Sequence, residues 1–142
     1  DALAVARAGA RKGAQGMVVG FPDNQRAAGA VRKLGDRSTR SRGAFQLDDR
    51  TSVWSVDRID PPGLRQLSGA SGGPLLDQAG RVVGVFIGAS MRRGRVIATS
   101  WRALVLAADA AGATADGEAR RTGAARAALA TELTRPVFCR VS

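Results

Sequence analysis

The chain has 142 residues, 44% of them hydrophobic, which is enough to bury the core of one ordinary domain and too much for a wholly disordered polymer. It has one cysteine and no histidine, which excludes an internal disulfide framework, a histidine-ligated metal site and the usual general base of nucleophilic catalysis. The net charge of +10 at pH 7 favours acidic partners, but with two tryptophans, four phenylalanines and no tyrosine we do not expect nucleic-acid binding.

Residues 1–100 have the pattern of an all-β domain, because short apolar runs with β-branched residues are separated by Gly, Pro, Asp and Asn. Residues 35–43 (GDRSTRSRG) predict a polar, cationic and mobile loop, and residues 77–80 (DQAG) predict the turn of a hairpin. The predicted strands cover residues 16–21, 28–34, 44–47, 52–59, 74–76, 81–88 and 95–100.

From residue 101 the composition becomes helical. Residues 101–111 are rich in Ala and Leu, with Ser100 placed to cap the first turn and Gly112 placed to end the helix. A second helix is predicted over residues 117–134, although Gly123 disfavours it. These helices could lie on a membrane surface, but packing against the sheet is the more common arrangement.

One segment, residues 67–76 (LSGASGGPLL), carries the clearest chemical signal. Its glycines allow a tight turn around Ser71, in which the N–H groups of Gly69 and Ser71 can converge on one point. Two such donors form an oxyanion hole, beside which a serine can attack a carbonyl carbon. The pattern also fits the G-x-S-x-G elbow of α/β-hydrolases, but that elbow precedes a helix, whereas Pro74 and a strand–turn–strand follow here. The elbow is therefore excluded.

The segment resembles the nucleophile loop G-x-S-G-G-P of the trypsin-like serine proteases. The residues after it (PLLDQAGRVVGV) resemble the hairpin of bacterial HtrA-like and related periplasmic members. Upstream, residues 1–5 (DALAV) resemble the family's D-x-A-V segment, and residues 17–22 (MVVGFP) resemble the first strand of its second barrel. The chain is also similar to the acid-resistance periplasmic proteases of mycobacteria, which carry a cysteine near the C-terminus, as this chain does at Cys139.

This resemblance implies a mainly β fold, in which the chain forms the second six-stranded antiparallel β-barrel of a chymotrypsin-like double barrel, followed by one or more C-terminal helices. Residues 1–14 would end the first barrel and link it to the second. Residues 15–100 would form the second barrel with the nucleophile loop, and residues 101–142 would form a helical tail.

The resemblance also implies roles for individual residues. Ser71 would be the nucleophile, Asp1 would orient the catalytic histidine, and the N–H groups of Gly69 and Ser71 would form the oxyanion hole. Ala70 departs from animal trypsins, whose aspartate at this place pairs with a newly cut N-terminus, so activation by that ion pair is excluded. A disulfide from Cys139 to the first barrel is implied. The substrate pocket would be formed by Arg65, Leu67, Ser68, Phe86, Ile87 and Gly88, with Arg65 favouring an acidic side chain before the cut bond.

The catalytic histidine of this family lies upstream of the aspartate, and the chain has none. Three explanations account for this: the chain is one fragment of a nicked protease, a shortened form of a longer protein, or part of a pseudoprotease that binds peptides without cutting them. The first two explanations are favoured, and by itself the chain is expected to be inactive. A weaker alternative is a binder of anionic surfaces driven by the net charge.

The expected partners are a peptide or protein substrate and an N-terminal fragment that carries the histidine. An isolated second barrel leaves an apolar face open, which also predicts contact with another polypeptide. Neither a metal nor an organic cofactor is expected. The family's usual location predicts a periplasmic or otherwise extracytoplasmic protein, with membrane anchoring only through the missing part.

Overall fold

The structure is a computed structural model, and it describes residues 3–40, 48–62, 64, 67 and 69–110. These residues form six strands and one helix, joined by short loops and two 3-10 helices at Pro22–Asn24 and Met91–Arg93. The strands are β1 (Gln15–Gly20), β2 (Ala27–Arg40), β3 (Asp48–Asp60), β4 (Pro74–Asp77), β5 (Val82–Ser90) and β6 (Arg95–Thr99), and the helix is α1 (Trp101–Ala110). Of the described helices, none has the length and apolarity needed to cross a bilayer.

The six strands close into a barrel in the order β1-β2-β3-β6-β5-β4, and every pair in it is antiparallel. The predicted mainly β, six-stranded antiparallel barrel is therefore confirmed. The core is built from side chains that point inward from all six strands, and Trp54 is the largest of them. Its indole Nε1 donates to Ser52 Oγ at 3.0 Å, and that hydroxyl donates to the Thr99 carbonyl at 3.1 Å, so these two buried polar groups are paired.

The predicted loop over residues 35–43 is wrong in its first part, because β2 continues through Arg40 and pairs with β3 as far as Asp48. The side chains of Asp36, Arg37 and Ser38 are all exposed, since this part of the hairpin extends beyond the barrel. A strand without a buried face shows no alternation of apolar and polar residues, and so its sequence resembles a loop. Residues 41–47, including the predicted strand 44–47, lie outside the described residues.

Two local predictions are confirmed by hydrogen bonds. At the β4–β5 turn, the Gly80 N–H donates to the Asp77 carbonyl at 2.9 Å, and the Arg81 N–H donates to Asp77 Oδ1 at 2.9 Å. At the start of α1, the Ser100 hydroxyl accepts from the Ala103 N–H at 3.1 Å, as a cap does. Gly112, the second predicted helix at 117–134 and Cys139 lie outside the described residues.

The N-terminal segment, residues 3–14, lies along the barrel and is held there by backbone and side-chain bonds. Val5 forms a parallel bridge with Val82, where the Ala6 N–H donates to the Val82 carbonyl at 2.9 Å. Trp101 Nε1 of α1 donates to the Ala6 carbonyl at 2.8 Å. Lys33 Nζ donates to the Ala10 carbonyl at 2.8 Å. The segment is therefore tied to β5, α1 and β2.

Candidate functional site

Ser71 lies in the turn that leads into β4, and its side chain is exposed to solvent. Its Oγ donates a hydrogen bond to the Ile87 carbonyl of β5 at 2.8 Å. This hydrogen bond holds the Ser71 hydroxyl at a fixed place on the surface of the barrel.

The glycines of the motif are required by the geometry of this turn. The φ angles of Gly69 and Gly72, on either side of Ser71, are +89° and +88°, a region that other residues rarely adopt. Gly73 is required for a different reason, because a Cβ there would lie 2.1 Å from the Val19 carbonyl oxygen. The pattern G-A-S-G-G therefore presents Ser71 while the backbone behind it packs directly against β1.

Backbone hydrogen bonds fasten the turn to β5. The Gly72 N–H donates to the Phe86 carbonyl and the Phe86 N–H donates to the Gly73 carbonyl, both at 2.8 Å. Within the described residues, the N–H groups of Gly69 and Ser71 have no acceptor. The turn therefore offers two unused N–H donors beside a hydroxyl, which is the set of groups that an oxyanion hole needs.

Ala70, the residue between those two donors, points the other way. Its side chain is buried in the hydrophobic core next to Gly20. A Cβ built at Gly20 would lie 2.6 Å from the Cβ of Ala70. A charged side chain at this position would lose its hydration, which is costly. The methyl side chain of Ala70 therefore holds the turn by apolar packing alone.

β5 changes its partners beside Ser71. Its first half pairs with β4 through Val85, and its second half, from Phe86 to Ser90, pairs with β6. The register shifts between Phe86 and Gly88, which leaves Ile87 as the extra residue of a bulge. Among the described residues, the stretch from Ile87 to Ser90 consequently pairs with a strand on one side only, and its edge on the side of Ser71 is open.

The predicted pocket residues fall into three groups. Leu67 and Phe86, each 1% exposed, are packed in the barrel core. Ile87 is 49% exposed and Gly88 is half-buried, so both are accessible beside Ser71. Arg65 and Ser68 lie outside the described residues, as does Asp1, the residue predicted to orient the histidine. A role for the six pocket residues in binding substrate, and that of Asp1 in catalysis, stay predictions.

The sequence predicted Ile87 as a residue of the substrate pocket. It did not predict that the Ile87 backbone carbonyl accepts the hydrogen bond from Ser71 Oγ. Gly88, a glycine inside a predicted strand, is the signal that indicates a bulge at this place. Among the described side chains, no three potential metal ligands of the His, Cys, Asp and Glu types lie together.

Comparison with known families and structures gives two kinds of match. The Peptidase_S29 family model, described as hepatitis C virus NS3 protease, matches residues 39–109, which is half of the chain. The inactive form of the Rv3671c protease has a TM-score of 0.60 and 22% identity, over 78% of this chain and 54% of that chain. The active form of the Rv3671c protease from M. tuberculosis has a TM-score of 0.56 and 23% identity, over 84% of this chain and 49% of that chain.

The chain thus spans about half the length of these mycobacterial protease chains. At such identities the similarity establishes the fold, which is that of a chymotrypsin-like barrel. No curated protein sequence matches the chain.

Proposed function

Since the chain belongs to the family of the hepatitis C virus NS3 protease, a family of chymotrypsin-like serine proteases, we propose that it supplies the nucleophile of a trypsin-like serine endopeptidase. In the proposed reaction, Ser71 Oγ attacks a peptide carbonyl carbon and its proton passes to a histidine. The amine then leaves with that proton, and water hydrolyses the acyl-enzyme on Ser71.

The observation that carries the proposal is the combination of groups in one turn. Ser71 has an exposed hydroxyl, and the neighbouring N–H groups of Gly69 and Ser71 have no acceptor in the described part of the chain. Such donors stabilise the negative charge that develops on the carbonyl oxygen, and one of them is worth about 3 kcal/mol in comparable enzymes.

The general base has to come from outside these 142 residues, which contain no histidine. We assign it to an upstream barrel, on the same longer polypeptide or on a cleaved N-terminal fragment, and Asp1 would orient it. Without this base the Ser71 hydroxyl is a weak nucleophile, so the 142-residue chain by itself would be inactive.

The open edge of β5 is the proposed binding place for the substrate backbone. An extended peptide can pair with the stretch from Ile87 to Ser90 and so bring its carbonyl carbon to Ser71. Arg65 would then favour an acidic side chain before the cut bond. The test is cleavage of matched Glu and Leu substrates by the histidine-containing protein, and equal rates would contradict this role of Arg65.

The resemblance to bacterial HtrA-like and related periplasmic proteases favours a periplasmic or otherwise extracytoplasmic enzyme, with any membrane anchor outside this chain. Acyl transfer by serine and histidine uses side chains and water, so the proposal includes no cofactor.

The experiment is active-serine labelling followed by intact mass spectrometry. A fluorophosphonate probe is added to the 142-residue chain and to a longer form that includes the upstream barrel. We expect one adduct, on Ser71, in the longer form only, and loss of the adduct in Ser71→Ala. Ser55→Ala removes a serine on β3, away from the site, and should label as the unmodified protein does.

Three results would contradict the proposal. An adduct on another serine would show that Ser71 is not the nucleophile. A longer form that is folded, contains the histidine and binds peptide but takes no probe would favour the pseudoprotease. An absence of any histidine in the upstream polypeptide would favour it too.

A further inference from the structure

A second candidate site lies in a cavity of about 700 Å³ between the N-terminal segment, the β2–β3 hairpin and the start of α1. Its walls include charged residues from β2, β3 and α1, and none of the described lining residues belongs to the Ser71 turn or to β5. The cavity is therefore separate from the proposed catalytic site, and the inference drawn from it does not depend on protease activity.

The lining of this cavity is strongly cationic. Its described residues include Lys33, Arg50 and Arg102 but only one carboxylate, that of Asp36. Asp36 Oδ1 lies 2.8 Å from Lys33 Nζ and balances that charge. In the described part of the chain, neither arginine forms an ion pair. No described side chain thus supplies a counter-charge to these two guanidinium groups around the cavity.

Lys33 adds a buried donor. Its side chain is only 8% exposed, and its ammonium group donates to the Ala10 carbonyl and to Asp36. An ammonium group has three N–H donors, and the third has no acceptor among the described residues. Because an unsatisfied buried donor is costly, an acceptor in the cavity would stabilise this arrangement.

The geometry points to a binding site for a phosphate group in this cavity. A phosphate carries oxygens enough to accept from Lys33 and from two guanidinium groups at once, and planar guanidinium groups bind phosphate through two parallel hydrogen bonds. The adjoining wall includes Trp101 and Leu106, which is 61% exposed, so it suits the organic part of a phosphate ester. The phosphate can come from a free anion or from a phospholipid headgroup.

The test uses the two indole N–H signals of the full chain in ¹⁵N NMR spectra, since the chain has two tryptophans. Trp101 lines the cavity, whereas Trp54 is buried in the core and serves as an internal reference. Inorganic phosphate is added at pH 7 and constant ionic strength, and in a parallel sample vesicles of phosphatidylglycerol are added, with phosphatidylcholine vesicles as the neutral comparison. With inorganic phosphate we expect a saturable change of the Trp101 signal and an unchanged Trp54 signal. With the anionic vesicles we expect a saturable loss of both signals by line broadening, because the bound protein tumbles with the vesicle.

The double substitution R50Q/R102Q should weaken this binding at least tenfold, because it removes two charge-assisted contacts. The matched control R92Q/R93Q removes the same charge from two exposed positions of the Met91–Arg93 helix, outside the cavity, and should change the affinity less than twofold. An unchanged Trp54 signal verifies the fold of each variant, and R102Q at an exposed helix position carries the test if the double variant does not fold.

A response to inorganic phosphate supports the site with a free anion as its ligand, and a response to the anionic vesicles alone supports it with a lipid headgroup. No response to either probe would overturn the inference. Equal losses in R50Q/R102Q and R92Q/R93Q would overturn it as well, because they would show attraction to the net charge and not to a site.

Discussion

At the scale of single residues, the turn around Ser71 combines exposure of one side chain with close packing of the backbone behind it. Ser71 Oγ is held by the Ile87 carbonyl at 2.8 Å, while Gly73 lies against β1. A hydroxyl proton that is donated to a carbonyl is not directed at a base. In the proposed reaction, the histidine and the substrate must therefore draw the Ser71 hydroxyl away from Ile87.

The packing of Gly73 gives the first prediction at this scale. Gly73→Ala would place a Cβ 2.1 Å from the Val19 carbonyl oxygen and 3.0 Å from that of Ala70. Because both contacts are to backbone, relief requires movement of β1 or of the turn, and we expect a loss of about 3 kcal/mol in the free energy of unfolding. Urea denaturation measures this loss.

Gly88→Ala is the matched control, since no atom lies within 4 Å of a Cβ built at Gly88. Its effect on the free energy of unfolding should stay within about 0.5 kcal/mol. Similar losses in the two variants would show that close approach to Val19 is not the reason for the glycine.

At the scale of elements, β5 links the parts of the site. Its first half pairs with β4, its second half pairs with β6, and Val82 at its start binds the N-terminal segment. The bulge at Ile87 is the point at which these pairings change, and it lies beside Ser71. A single strand therefore positions the Ser71 turn, the proposed substrate-binding edge and the N-terminal segment relative to one another.

The cap of α1 gives a prediction at this scale. Ser100→Ala removes the acceptor of the Ala103 N–H and should lower the free energy of unfolding by about 1 kcal/mol. Ser100→Asn keeps an oxygen that can accept this bond and should be nearly neutral. Thermal and urea unfolding of both variants provide the measurement, and equal losses would indicate that packing of Ser100, and not its hydrogen bond, is what stabilises the helix.

At the scale of the whole molecule, the described chain is one closed barrel with its N-terminal segment and α1 packed on the outside. Trp101 Nε1 binds the Ala6 carbonyl, and the Cβ of Trp101 would lie 3.3 Å from a Cβ built at Gly9. This contact joins the two ends of the described chain. In the proposed enzyme, the segment that follows Asp1 would then be held in place by the helix after the last strand.

Hydrogen exchange tests this connection. In the unmodified chain, the amides of Ala6 and Val82 should be protected, because each donates to the other segment. Trp101→Phe should reduce that protection about fivefold, the equivalent of one lost hydrogen bond of about 1 kcal/mol. Amides between β1 and β2 should keep their protection, and an equal loss there would show that Trp101 stabilises the whole barrel and not this segment in particular.

Several features were predictable from the sequence because they depend on local chemistry. The hairpin at residues 77–80 and the cap at Ser100 each use side chains or glycines whose effect spans only a few residues. The extension of β2 to Arg40 was not predictable, because a strand outside the barrel buries no face and its sequence shows no alternation of apolar and polar residues.

The sequence by itself determined the identity of the candidate nucleophile, since the spacing of the glycines around Ser71 is a local requirement of the turn. Only the tertiary structure decided what surrounds that serine. The Ile87 carbonyl is 16 residues away in sequence, and the cavity charges at Lys33, Arg50 and Arg102 come from three separate elements. Groups so far apart along the chain are brought together by closure of the barrel, and no local pattern of residues encodes which of them will meet.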